Sequence, residues 1–256
     1  MSAVAHIRRL RAERLLSTEG ADSPHTMPRH ASLPLWRDQS VEQKLDTLRG
    51  QALDLYRYQL SQTYASIMRM LDAHQAADGK EAADIELIKR LIAEHPDILS
   101  MSCEVGHITA SAMIVDRASR RALLHFHKRL GRWLQVGGHV EYETDIAAAA
   151  LREAREETGL TDLEFYPAAD AVPPIDYDVH TIPRNRKTPE HLHLDFRYLL
   201  LTRRPESIAP AAGESTQIRW LSFDEALALD PEIDPSLKRL LRKGQVLLRD
   251  LPSDDD

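Results

Sequence analysis

One cysteine, Cys103, among 256 residues excludes an intramolecular disulfide and any cysteine-rich zinc site, and fits a reducing compartment. Long apolar runs are missing as well: none approaches the ~20 residues that a membrane-spanning helix needs. Basic excess is lacking, since 33 Lys and Arg face 40 Asp and Glu for a net charge of -7, the opposite of the electrostatic footprint of a nucleic-acid binder. The N-terminus begins with basic residues but has no apolar core of a secretory signal. These absences predict a cytoplasmic chain whose partner is a small molecule, with neither nucleic acid nor membrane. A polyanionic substrate stays compatible with the acidic charge, because a bound cation inverts the local sign.

What is present divides along the chain. Residues 1–39 read as an N-terminal arm, with an arginine-rich helical stretch over Ala5–Leu16 and then an irregular segment through Pro24, Pro28 and Pro34. Residues 40–99 read as a helical region. Ser40 with Gln43 signals a capping box, and Val41, Leu45, Leu48, Ala52, Leu55, Tyr56, Ile67 and Leu71 continue an apolar stripe at helical spacing, with Gly50 as a weak point. Gln75–Gly79 breaks the pattern, and a further helix over Ala82–Glu94 ends before Pro96. Tyr56, Tyr58, Tyr64, Met68 and Met70 suit a core or the seam of a homodimer.

Residues 100–250 change to β-rich character. Strands are expected at His107–Val115, Ala122–His127, Arg132–Val136, Leu163–Pro167, His191–Thr202 and Thr216–Leu221, and helices at Phe223–Leu229 and Pro235–Leu248. Residues 251–256 form an acidic tail. Strands around a glycine pair and one amphipathic helix describe an α+β sandwich.

The chemistry concentrates between Gly137 and Leu160. Glu153, Glu156 and Glu157 stand at i, i+3 and i+4, so a helix over Thr144–Thr158 places their carboxylates on one face. Such neighbours repel unless a cation joins them, and carboxylate oxygens call for hard Mg²⁺ or Mn²⁺. Arg152, four residues before Glu156, can pair with a carboxylate and hold its orientation. Thr144 is the expected N-cap and Gly159 the C-terminal stop. Gly137-Gly138 is expected to turn tightly and bring backbone groups close to a ligand.

Gly138, Arg152, Glu153, Glu156, Glu157, Gly159 and Leu160 together resemble the Nudix box, G-x5-E-x7-R-E-U-x-E-E-x-G-U with U aliphatic. At ordinary residue frequencies of roughly one in fifteen, six fixed letters in register arise by chance about once in 10⁷ trials. The first glutamate of the pattern falls at Thr144, flanked by Glu143 and Asp145 as equal candidates to replace it, and Ala154 is small where the pattern is aliphatic. The resemblance covers about residues 100–230 and implies a mixed sheet between helices, an α/β/α sandwich. It also implies a Nudix-type diphosphate hydrolase acting on a nucleoside diphosphate linked to another moiety or on a nucleoside triphosphate. Gly137, Gly138, Glu153, Glu156 and Glu157 would serve the Mg²⁺ or Mn²⁺, with Arg152 orienting them and Glu153, Glu214 or His193, in that order, as proton acceptor.

Further candidates surround the box. In His191–Tyr198 polar and apolar residues alternate, so His191, His193, Asp195 and Arg197 share one side of a strand, a face that is solvated or serves proton transfer and diphosphate binding. His191, His193 and Asp195 could share a metal, although no further ligand completes a tetrahedral set. Arg184 and Arg186 sit in a basic loop that could close over phosphates, after Asp176, Asp178 and His180. His139 and Glu141 lie in the box loop as substrate-binding candidates together with Asp195, and Trp133 either stacks a base or fills the core. Two other classes compete. A non-hydrolytic Nudix-like nucleotide sensor, acting through the helical N-terminal region, is kept open by Thr144. An isomerase of the same superfamily would need a placed cysteine, which Cys103 does not match.

Overall fold

The computed structural model describes residues 41–127, 130–141, 143–169, 171–185, 188–229 and 233–251. The expected arm at 1–39, the capping residue Ser40, the loop residue Arg186 and residues 252–256 of the acidic tail therefore lie outside the described residues, while Leu251 is buried. The chain divides into two units, Met1–Ser61 and Gln62–Asp256. What is described of the first is part of helix α1 (Val41–Ala73), which runs unbroken through Gly50. Leu45, Leu48 and Leu55 on this part are exposed.

In the second unit α1 buries Ile67 and Leu71, and helix α2 (Gly79–Glu94) follows. The α2 helix starts three residues before the expected Ala82, because the Asp78 side chain accepts the Glu81 N–H at 2.8 Å and caps it. It ends at His95, whose extended conformation is the one a following proline imposes.

A mixed eight-stranded sheet follows: β1 (Gly106–Asp116), β2 (Ala122–His127), β3 (Arg132–Leu134), β4 (Val136–His139), β5 (Glu164–Phe165), β6 (Asp176–Ile182), β7 (His191–Thr202) and β8 (Ile218–Leu221). The centre is the parallel pair β1 and β7, in register from Gly106 opposite Leu192 to Asp116 opposite Thr202. Strand β4 pairs antiparallel with β1 on its other side, and β6 with β7. One expectation is corrected, and one strand was not expected. Gly137-Gly138 is no turn but the middle of β4, where the missing side chains let the strand lie against Ser111 and Ala110. Strand β6, which carries Asp176, Asp178 and His180, has no counterpart among the expected strands, since its alternation is masked by aspartates that are paired inside the fold.

Helix α3 (Ile146–Thr158) covers one face, with Ala149 and Ala150 in the cluster of Ile108, Ala110, Leu194 and Phe196, to which α1 and α2 add Ile67, Leu71, Ile85 and Ile88. Helices α4 (Phe223–Leu227) and α5 (Pro235–Leu247) cover the other, placing Phe223, Leu237, Leu240 and Leu241 on Met113, Val115, Leu199 and Leu201. The result is the α/β/α sandwich expected of the chain, with a helical region ahead of it.

Of the readings left open for the polar side of β7, solvation does not hold for Asp195 and Arg197. Asp195 and Arg197 are each 3% exposed. Arg197 pairs with Asp195 at 2.9 Å, Asp178 at 3.1 Å and Asp176 at 3.3 Å, while Arg239 of α5 reaches Asp176 at 2.7 Å. Such charges persist in a core only when each is paired and hydrogen-bonded. Along the outer side of β6, Glu81 accepts the Tyr177 N–H at 3.2 Å and Asp84 the Val179 N–H at 3.1 Å, so α2 occupies donors a sheet edge would otherwise expose. Burial alone would raise the Glu81 carboxyl, but hydrogen bonds from His74, the Ala77 N–H and Lys243 hold it below the usual range.

Candidate active site

Asp145, not Thr144, caps α3: its Oδ1 accepts the N–H of Ala147 at 3.0 Å and of Ala148 at 3.3 Å. Carboxylate outcompetes hydroxyl here because it is an anion at the positive end of the helix. Gly159 closes the helix in the left-handed region at φ 75°, as expected.

Arg152 is the hub. Its Nε lies 3.2 and 3.1 Å from the two oxygens of Glu143, Nη1 reaches Glu153 at 2.8 Å and Glu156 at 3.3 Å, and Nη2 donates to the His139 carbonyl at 2.7 Å. Of the flanking acids beside Thr144, Glu143 thus joins the cluster while Asp145 is spent on capping. A planar fork suits this task where a lysine would not.

Strand β4 carries the other half. The Gly137 N–H donates to Glu157 Oε2 at 2.7 Å. Gly138 is the cradle of Glu153: a Cβ there would lie 2.6 Å from the carboxylate carbon. Gly137, at φ 151°, likewise leaves no room for one beside Ser111. Burial chiefly raises the Glu153 carboxyl, against the pull of Arg152. Burial also pushes Glu157 up to about 8, opposed by the Gly137 N–H and assisted by the charges of Glu214, Glu153 and Glu156. Glu214 comes near through its loop, which is pinned to α3 where the Ala211 N–H donates to the Glu156 carbonyl at 2.9 Å. Glu141, exposed and at φ 54°, adds its charge to Glu153. An all-oxygen, partly buried donor set fits a hard divalent cation.

The remaining candidates fall elsewhere. By strand alternation Gly138 faces α3, while His139 faces the opposite side of the sheet with His107 and His193. Burial and the surrounding rings push His193 down to about 2 and His107 down to about 4. Asp195 accepts from Thr109 at 3.1 Å, Ser111 at 2.8 Å, Gln135 at 3.3 Å and Arg197 at 2.9 Å, so its oxygens serve the sheet, and the expected set of His191, His193 and Asp195 offers no free carboxylate. Arg184 is exposed in the loop after β6. Trp133 fills the core against Phe126, with Arg219 stacked 4.8 Å above its ring. Sequence reasoning ranked His125, whose Nδ1 lies 3.9 Å from Glu157, below His139 and Glu141, and missed His107; both depend on strand pairing that no local pattern announces.

An acidic helix laid on a glycine strand, within an α/β/α sandwich, forms the candidate centre. The chain belongs to the NUDIX domain family, whose model matches residues 106–243, more than half of its length. It is accordingly an enzyme of the Nudix pyrophosphate-hydrolase type. No curated protein matches the chain. Among solved structures it is similar to a NUDIX family hydrolase from Clostridium perfringens, at 29% identity and TM-score 0.43 over 55% of this chain and 97% of that one. It is also similar to an Ap4A hydrolase from C. elegans, at 19% identity and TM-score 0.41 over 56% and 97%. The NUDIX domain of Shewanella oneidensis NrtR, complexed with ADP ribose, shares 15% identity at TM-score 0.40 over 62% and 97%. No helix among the described residues is long and apolar enough to cross a membrane.

Proposed function

We propose that the protein hydrolyses a diphosphate linkage, in a nucleoside diphosphate bearing a second moiety or in a nucleoside triphosphate, with Mg²⁺ or Mn²⁺ held by Glu153, Glu156 and Glu157. The observation that carries this reading is the Arg152 hub, which holds Glu143, Glu153 and Glu156 together while Gly138 leaves the Glu153 carboxylate its place. When bound, the cation supplies charge neutralisation at the phosphates and a lowered pKa for the attacking water.

The residues of the chain do the rest. Arg152 keeps the carboxylates oriented, and the Gly137 N–H fixes Glu157. Of the three candidate proton acceptors, Glu153 is committed to Arg152, and His193 lies on the sheet face turned away from Gly138. Glu214 becomes the proton acceptor, since its loop is bonded to α3 and its charge reaches Glu157.

The test is product release from ADP-ribose, NADH, dinucleoside polyphosphates, CoA, nucleotide sugars and nucleoside triphosphates with Mg²⁺ or Mn²⁺, for wild type and Glu157→Gln. Cleavage lost in the variant supports the hydrolase and names its substrate class. Saturable binding without cleavage by wild type would replace it with a nucleotide sensor.

A further inference from the structure

Three adjacent strands place one histidine each on the same side of the sheet. His107 of β1 stands opposite His193 of the parallel β7, and His139 of β4 stands opposite Thr109, one alternation further along β1. Their ring centroids form a triangle, 4.8 Å from His107 to His193, 5.0 Å from His107 to His139 and 5.4 Å from His139 to His193. One ring nitrogen from each lies within 4.8 Å of the other two. His107 is only 3% exposed, yet neither of its ring nitrogens has a hydrogen-bond partner among the described residues. A buried polar atom left so costs about 1–3 kcal/mol, which a fold retains where the atom has another use.

We propose that His107, His139 and His193 form a binding site for a borderline transition-metal cation of the Zn²⁺ kind, separate from the carboxylate cluster on α3. Imidazole nitrogens suit Zn²⁺ and its neighbours, whereas Mg²⁺ takes oxygen. Tetrahedral Zn–N bonds of about 2.0–2.1 Å put ligand nitrogens about 3.3 Å apart, within reach of small ring rotations from the present spacing. The three strands hold the three imidazoles on one side of the sheet. His180, whose Nδ1 lies 3.0 Å from Asp178, flanks the site with its ring centroid 5.5 Å from that of His193. The His139 carbonyl accepts from Arg152, so an ion at this site would also steady the strand that underlies Glu153.

The experiment is calorimetric titration of the full chain with Zn²⁺ in the presence of excess Mg²⁺, repeated with Co²⁺ and read by its visible absorption. Wild type, His193→Gln, His107→Ala and Glu157→Gln are compared, each checked for folding by circular dichroism. The expected result is one tight equivalent in wild type and in Glu157→Gln, weakened about 100-fold or more in His193→Gln, since even outer partners of a metal site account for about 10–100-fold. His193→Gln, at the less buried position, carries the comparison if His107→Ala does not fold. Unchanged affinity in His193→Gln, loss in Glu157→Gln, or no tight equivalent in wild type would each overturn the proposal. None of these readings depends on catalytic turnover, so failure of the hydrolase reading leaves them interpretable.

Discussion

Glu157 accepts the backbone N–H of Gly137 at 2.7 Å, and this bond ties the last turn of α3 to the strand beneath it. Helix and strand therefore form one unit, in which a change at a glycine is felt by a carboxylate.

Gly138→Ala tests that unit most directly. A methyl group there would lie 2.6 Å from the Glu153 carboxylate and must displace it. Misplacement of about 1 Å at a reacting centre costs about 10²-fold, so kcat/KM for the best substrate is expected to fall by that order while thermal stability changes little. Undiminished kcat/KM would show that the position of Glu153 is not needed.

The acids flanking Thr144 separate into two tasks. Asp145→Ala removes the cap of α3 and should cost about 1 kcal/mol in urea unfolding with the metal requirement unchanged. Glu143→Gln should leave stability nearly intact and raise the Mg²⁺ concentration for half-maximal activity several-fold, because Arg152 loses the anion that balances it. Exchange of the two outcomes would reverse the assignment.

The Glu157 carboxyl, held up to about 8 in the fold, keeps its proton where the unfolded chain, near the ordinary 4.5, has lost it. The folded state then binds more protons than the unfolded one between these values. Metal-free protein should lose stability as pH rises through that window and level off above it. Urea midpoints measured against pH in chelator should show the slope in wild type and a flattened profile in Glu157→Gln. Identical profiles would refute the shift.

Arg197 balances Asp176, Asp178 and Asp195 inside the sheet. Arg197→Leu leaves those anions short of a partner and is expected to cost about 3–5 kcal/mol, read as a lowered urea midpoint. A cost under about 1 kcal/mol would mean that Arg239, paired with Asp176, and Lys80 of α2, 2.6 Å from Asp178, suffice.

The spacing of Arg152, Glu153, Glu156 and Glu157 is a local fact, since residues three and four apart on a helix must share a face. For that reason the sequence by itself determined the box helix and its C-terminal glycine, while period-two alternation marked β7 and the resemblance to the Nudix box implied the α/β/α layering. It could not determine that Gly137-Gly138 is a strand, because pairing with Ser111 and Ala110 joins segments more than twenty residues apart. The burial of Asp195 and Arg197 was equally out of reach: alternation marks the two sides of a strand, and only the helix laid over one side decides whether its charges meet water or each other. Tertiary structure alone chose Glu143 over Asp145 at the Arg152 fork. It alone also gathered His107, His139 and His193, because parallel pairing of β1 with β7 sets in register two segments whose nearness costs chain entropy and leaves no local mark.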